Sequence, residues 1–143
     1  NAYVLDLKEP LGLSDFFGFA APQLAPKLEL KPETLKNMLL ERENQYSTVL
    51  SPNLAVPHIV IDGQNKFEML IARCSKGVKF SDDAPHITTI FVLVGSRDLR
   101  NFYLRVLSAI AHIVQTQNFE TQWEKAKNPQ ALKDLVLLTQ RKR

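Results

Sequence analysis

The chain has 143 residues, 45% hydrophobic and 23% charged, with a formal net charge of +3, which suits one ordinary globular domain with a real core and excludes a disordered or low-complexity segment. The charge is uneven: residues 1–70 hold 6 Lys/Arg against 9 Asp/Glu and residues 71–143 hold 12 against 6, a basic second half that favours an acidic protein partner or phosphate-bearing groups. A single cysteine rules out intrachain disulfides and a cysteine-based zinc site; no apolar run nears membrane-spanning length, and arginines are not interleaved with aromatics as in a nucleic-acid surface.

Val4 to Leu7 reads as a short strand or an extended lead-in. Ser14 and Asp15 offer an N-cap to a short helix through Phe16, Phe17 and Phe19, which Pro22 and Pro26 are expected to disturb. A clearer helix spans Lys31 to Asn44, with Pro32 in its first turn, Glu33 near its positive end and Leu35, Met38 and Leu39 at core spacing. Taken alone, Arg42 is a solvated residue near the end of that helix. A polar turn at Ser51, Pro52 and Asn53 leads into the apolar run Leu54 to Val56. Pro57 then removes a backbone donor, so His58 is expected where a strand stops.

After a turn at Asp62-Gly63, Phe67 to Cys74 alternates as a strand, with Phe67, Met69 and Ile71 on one side and Glu68, Leu70 and Ala72 on the other. Cys74 is expected to pack in the core. Lys76-Gly77 is expected to turn the chain, Val78 to Phe80 to form a brief strand or loop, and Ser81 to Pro85 to connect. Ile87 to Val94 is a near-continuous β-branched run suited to a central strand buried on both faces, stopping at Gly95-Ser96. Arg97-Asp98 opens what reads as the longest helix, about Leu99 to Gln115, with Leu104, Leu107, Ile110, Ala111 and Val114 inward and Arg105, Ser108, His112 and Gln115 outward. A short helix fits Phe119 to Ala126 with Trp123 as anchor. Asn128 caps a final helix beginning at Pro129, with Leu132, Leu135, Val136 and Leu138 inward, and Arg141 to Arg143 form a solvated tail. The expected fold is α/β, a small central mixed sheet sandwiched by helices.

Several chemistries lack their residues. There is no phosphate-cradling glycine loop, dinucleotide fingerprint, nucleophile-elbow serine or paired-histidine metal helix. The histidines at 58, 86 and 112 have no metal-ligand spacing, so no metal or cofactor is expected. His86 reads as a loop residue. His58 is different, a lone imidazole in an apolar segment where one ring nitrogen can be held by a backbone carbonyl while the other stays free to attack. A satisfied structural histidine fits the same pattern.

Leu-Leu-Glu-Arg-Glu at 39–43, Ser-Thr at 47–48, Asn-Leu-Ala-Val-Pro-His at 53–58, Thr-Ile-Phe-Val-Leu-Val at 89–94 and Leu-Ser-Ala-Ile-Ala at 107–111 together resemble the enzyme IIA domains of the fructose/mannitol class. These belong to the bacterial phosphoenolpyruvate-dependent phosphotransferase system and include nitrogen-regulatory members. The resemblance runs from about Leu28 to the C-terminus. It implies that His58 accepts a phosphoryl group from HPr or its nitrogen-branch counterpart, that Arg42 is the family's active-site arginine, and that Thr48 donates a hydroxyl to the phosphoryl group.

Two positions depart from that pattern. The family usually has glycine after the histidine; Ile59 here is expected to hinder a partner's approach. A second histidine normally begins the long helix; that position is Tyr103, which can hydrogen-bond but cannot become a cation. The resemblance therefore implies a regulatory IIA-like domain, phosphorylated on His58 and signalling to a transporter or regulator. The alternatives are a working phosphocarrier that passes its phosphoryl group to a IIB subunit, or a binding module without transfer. Residues 1–143 are expected to be one cytoplasmic domain, free or as the cytosolic part of a membrane protein, without nucleic-acid or membrane insertion. The start at Asn1-Ala2 reads as a cloning remnant ahead of a segment from a longer polypeptide.

Overall fold

A computed structural model describes residues 2–116 and 118–141. The elements in chain order are β1 (Ala2–Leu7), β2 (Leu11–Gly12), α1 (Leu13–Leu28), α2 (Pro32–Gln45), β3 (Val49–Ser51), β4 (Leu54–Ala55), β5 (His58–Ile61), β6 (Phe67–Lys79) and β7 (Ile87–Ser96). A 3-10 turn (Arg97–Leu99) then leads into α3 (Arg100–Val114), α4 (Phe119–Lys125) and α5 (Pro129–Arg141). Together they form an α/β sandwich around one mixed sheet of seven strands, which is larger than the few strands expected.

The sheet is built on β7, whose ten residues are all buried. It pairs antiparallel with β6 on one side and parallel with β4 and β5 on the other. Strands β1 and β2 follow one another along the far edge of β6, both parallel to it. Because side chains alternate across a strand, β7 feeds two cores. Ile90, Val92 and Val94 join the core under α1 and α2, while Phe91 and Leu93 join the core under α3, α4 and α5. The alternation expected in β6 holds: Leu70, Ala72 and Cys74 face the first core and Ile71 the second, with Phe67 and Met69 packed against it.

Helix α1 corrects the expectation of a short, disturbed segment, for it runs 16 residues with Pro22 and Pro26 inside it and Ser14 within its first turn. Its N-cap is Gly12, and no side chain caps it. Each proline removes a backbone donor and crowds the carbonyl four residues back, a cost of about 3 kcal/mol in a helix interior. Here both prolines lie on the solvent face, while Phe16, Phe17, Ala20, Ala21, Leu24, Ala25 and Leu28 are buried on the other. Burial at roughly 1.5–3 kcal/mol per large apolar side chain outweighs that cost. The helix stops at Glu29, whose left-handed backbone (φ 59) lets its N–H reach the Ala25 and Pro26 carbonyls.

Three further expectations are corrected. Lys76-Gly77 does not reverse the chain: β6 continues through it to Lys79, with an irregularity between Arg73 and Val78 where Gly77 takes a positive φ of 87. Helix α3 has 15 residues and is therefore not the longest. Its buried face is only partly the expected one: Ile110 is buried and Leu107 and Val114 pack against the core, but Leu104 is 45% exposed and Tyr103 and Ile113 are buried instead. Arg105, Ser108, His112 and Gln115 are exposed as expected.

In the last third, Trp123 is fully buried and stacks between Phe119 and Phe91, with ring centroids 5.5 and 6.1 Å away. Asn128 caps α5 through its side-chain oxygen, which accepts the Ala131 N–H at 2.8 Å. Leu132 and Val136 are buried there; the Leu138 side chain and the terminal residues 142 and 143 fall outside what is described. Among the described residues, no helix is long and apolar enough to cross a membrane.

Candidate functional site

His58 opens β5 rather than standing where a strand stops. Pro57 interrupts the hydrogen-bond ladder, but its carbonyl still accepts the Leu93 N–H at 2.9 Å. Leu54 and Ala55 pair with Thr89 and Ile90, and His58 pairs with Leu93, so the chain resumes beside β7 in unchanged register. Neighbours in a parallel pair share a face; His58 therefore points to the α3 side with Leu93. Ile59, paired with Val94, points into the opposite core and is only 7% exposed. The expected hindrance is corrected accordingly: the next side chain on the face of His58 is Val60, which is 42% exposed.

The imidazole is half-buried and its Nδ1 lies 2.6 Å from the Val56 carbonyl oxygen. A carbonyl can only accept, so in the neutral ring Nδ1 carries the proton and Nε2 keeps the lone pair. Val56 is itself fixed, its N–H donating to the Thr48 carbonyl at 3.0 Å. Thr48 is in turn tied to α2: its N–H and hydroxyl donate to the two Glu43 carboxylate oxygens at 2.7 and 2.6 Å. A continuous chain of hydrogen bonds thus runs from the end of α2 to the imidazole.

The His58 ring lies 6.1 Å from the Tyr103 ring, at a 60° tilt. Both line an open cavity of about 760 Å³ together with Arg42, Arg97, Arg100 and Leu104. Tyr103 is 4% exposed, and its hydroxyl has no partner among the described residues. Burial holds its phenol far above the ordinary range, and the nearby Arg42 charge opposes this only in part. It is a neutral donor at any physiological pH. An unpartnered buried hydroxyl costs about 1–3 kcal/mol unless something accepts from it.

Three of the four sequence-derived site residues are therefore brought together: His58, Arg42 and Tyr103. Thr48 is not, since it lies off the cavity wall, 4% exposed, with its hydroxyl committed to Glu43. The sequence reading misses Arg97, which it gives only as the opening of a helix, and Arg100, which it does not single out. The signal was present, because Arg100, Tyr103 and Leu104 stand at i, i+3 and i+4 and share one face. Cys74 is buried and its thiol is pushed up by burial, as packing requires. His86 lies in the loop before β7.

Comparison with known proteins bears on the family and the fold. Residues 14–138 match the family described as phosphoenolpyruvate-dependent sugar phosphotransferase system, EIIA 2, a span that begins before the Leu28 limit read from the motifs. A fructose-specific EIIA component of the phosphotransferase system from Haloferax volcanii is 27% identical over 103 residues, covering 68% of this chain and 64% of the relative. The match thus spans less than two thirds of that relative's length. Among solved structures, nitrogen regulatory protein IIA-Ntr from Neisseria meningitidis superposes with a TM-score of 0.82 at 21% identity, covering 94% of this chain and 92% of that one. IIA mannitol from Escherichia coli, solved in complex with phosphorylated enzyme IIB mannitol, gives 0.72 at 15% identity, covering 94% and 93%. These structural likenesses concern the fold; with the family match over most of its length, the chain belongs to the EIIA type 2 family of the phosphoenolpyruvate-dependent sugar phosphotransferase system.

Proposed function

We propose that the chain is a regulatory IIA domain whose His58 Nε2 accepts a phosphoryl group from a phosphohistidine carrier of the HPr type, with the phosphorylation state of His58 signalling to a transporter or regulator. The observation that carries the phosphoacceptor role is the 2.6 Å contact between His58 Nδ1 and the Val56 carbonyl, which leaves Nε2 as the nucleophile facing the cavity. Arg42 on the cavity wall is the family-matched ligand for phosphoryl oxygens, and the Tyr103 hydroxyl is a neutral donor to the same group. Regulation is favoured by Tyr103, because a buried neutral phenol gives the anionic phosphoryl oxygens a hydrogen bond but not the positive charge that an imidazolium would.

The second reading is a working carrier that passes the group to a IIB subunit. It is favoured by Ile59 pointing into the core, which leaves the approach to His58 open, and by the Haloferax volcanii relative's description as a fructose-specific component. One experiment separates the two. The chain is incubated with phosphoenolpyruvate, enzyme I and HPr or its nitrogen-branch counterpart, and the intact mass is followed before and after a fructose- or mannitol-class IIB is added. One phosphoryl group that appears on wild type, is absent from His58→Ala and stays on the chain in the presence of IIB supports regulation. Rapid relay to IIB supports uptake, and labelling of His58→Ala contradicts both.

A further inference from the structure

Three arginines reach the wall of the His58 cavity: Arg42 from α2, Arg97 from the 3-10 turn and Arg100 from the first turn of α3. Two of them are engaged. Arg42 Nη1 donates to the Tyr46 carbonyl at 3.1 Å, with its guanidinium 5.2 Å from the centre of the Tyr46 ring. Arg97 Nε stands 3.8 Å from the Asp62 carboxylate. Arg100 is exposed and has neither an ion pair nor a side-chain hydrogen bond among the described residues.

Its position is what gives that freedom a use. Arg100 and Tyr103 are one turn apart on the wall of the cavity that His58 faces, and Tyr103 brings a buried, unpartnered hydroxyl but no charge. A phosphoryl group on Nε2 carries three anionic oxygens; Arg42 keeps one N–H on the Tyr46 carbonyl and offers the others, and Arg97 stands beside Asp62. An uncommitted guanidinium is suited to meet those oxygens, being planar, permanently charged and able to bind two oxygens at once.

We propose that Arg100 is a phosphoryl ligand of this chain, the cation that meets the group carried by His58 and supplies the charge that Tyr103 cannot. The assignment rests on the reading of His58 as phosphoacceptor. In the step itself the Nε2 lone pair forms the new N–P bond as the donor's own P–N bond breaks. The electron pair of that bond leaves with the donor nitrogen, and the Nδ1 proton stays on the ring against the Val56 carbonyl. Arg100 transfers nothing and neutralises charge on the equatorial oxygens.

The test uses two probes that need no protein partner. Potassium phosphoramidate, which phosphorylates imidazole with release of ammonia, labels the chain chemically, and the rate is read by intact mass. Inorganic phosphate is titrated separately against the unphosphorylated chain, with binding followed by NMR shifts of the His58 ring. Arg100→Gln should reduce both the labelling rate and phosphate affinity roughly tenfold or more, as loss of a charged hydrogen bond does. Arg100→Lys should recover part of both. Arg105→Gln, which removes the same charge from an exposed position on α3 away from this cavity, should change neither by more than about twofold. Equal loss in the Arg100 and Arg105 variants would overturn the proposal in favour of a general field effect, as would wild-type behaviour of Arg100→Gln. If wild type takes no label, the phosphoacceptor reading fails, while the phosphate titration still decides whether Arg100 binds the anion.

Discussion

A histidine becomes a directed nucleophile when one nitrogen is committed and the other is not. In the proposed role His58 reaches that state through Val56, Thr48 and Glu43, none of which lines the cavity. The Glu43–Thr48 pair is thus a positioning device, clamping the end of α2 to the segment that holds the imidazole. Thr48→Val keeps the shape but strands a carboxylate oxygen, and should lower stability by roughly 1–3 kcal/mol in urea unfolding. An unchanged midpoint would show that the hydroxyl bond adds nothing. At Tyr103 the sign is reversed: Tyr103→Phe removes an unpartnered buried hydroxyl, so stability should be unchanged or higher. Its labelling by a phosphohistidine donor should nevertheless slow, because the donor to the phosphoryl group is gone; labelling at the wild-type rate would remove Tyr103 from the site.

His58 stands out in the sequence as a lone imidazole after Val-Pro, but a satisfied structural histidine fits the same pattern, and it is the family resemblance that points to a phosphoacceptor. The loss of Thr48 from the site was not legible, because its competitor Glu43 lies only five residues back and both the cavity and the clamp fit the same sequence. The direction of Ile59 could be read only from the register of β5 on β7.

Elements of this fold are set by what they bury, and where local signals disagreed with burial they lost. The prolines of α1 argued for a break, yet their side chains stand on the solvent face of a helix with seven buried residues. Lys76-Gly77 looked like a turn because it combines a polar residue with glycine. In the structure the glycine serves an irregularity within one long strand, since Val78 pairs with Ile87 beyond it. Gly77 is required there twice, by its φ of 87 and because a Cβ would overlap the His86 ring. Gly77→Ala should therefore cost about 1–2 kcal/mol from the backbone alone and more from the overlap. Adding His86→Ala should return only the second part in a double-mutant cycle. Full recovery in the double variant would mean that the backbone is not strained. The strands and helices that were read correctly, β7 and α2 above all, are those in which local pattern and burial agree.

On the scale of the molecule, two cores share one sheet and the chain's first strand is locked to its late helices by a buried ion pair. Arg73, on β6, is bonded to Asp6 of β1 at 2.6 and 2.9 Å and also donates to the carbonyls of Trp123 and Ala126 around the end of α4. Both side chains of the pair are 6% exposed. The Arg73 hydrogen bonds hold the Asp6 carboxyl below its ordinary value against the opposing effect of burial, with Lys8 assisting. A depressed carboxyl contributes stability that is full above its unfolded value, about 3.9, and is lost as pH falls through the lower folded value. Asp6→Asn should thus destabilise the chain at neutral pH by about 3 kcal/mol or more, having left a buried guanidinium uncompensated. Its disadvantage should shrink below about pH 4, and a penalty constant across that range would contradict the assignment.

The basic second half of the sequence also finds its place at this scale: Arg97 and Arg100 stand at the His58 cavity. Composition gave the sign of the field, but only the folded chain locates it beside the imidazole.

The measurement that tests the account most directly is nitrogen-15 NMR of the chain after phosphorylation, reading which ring nitrogen couples to phosphorus. A phosphoryl group bound through the Val56-anchored arrangement should couple only to Nε2 of His58 and vanish in His58→Ala. Coupling at Nδ1, or a phosphoryl group on any other residue, would contradict it.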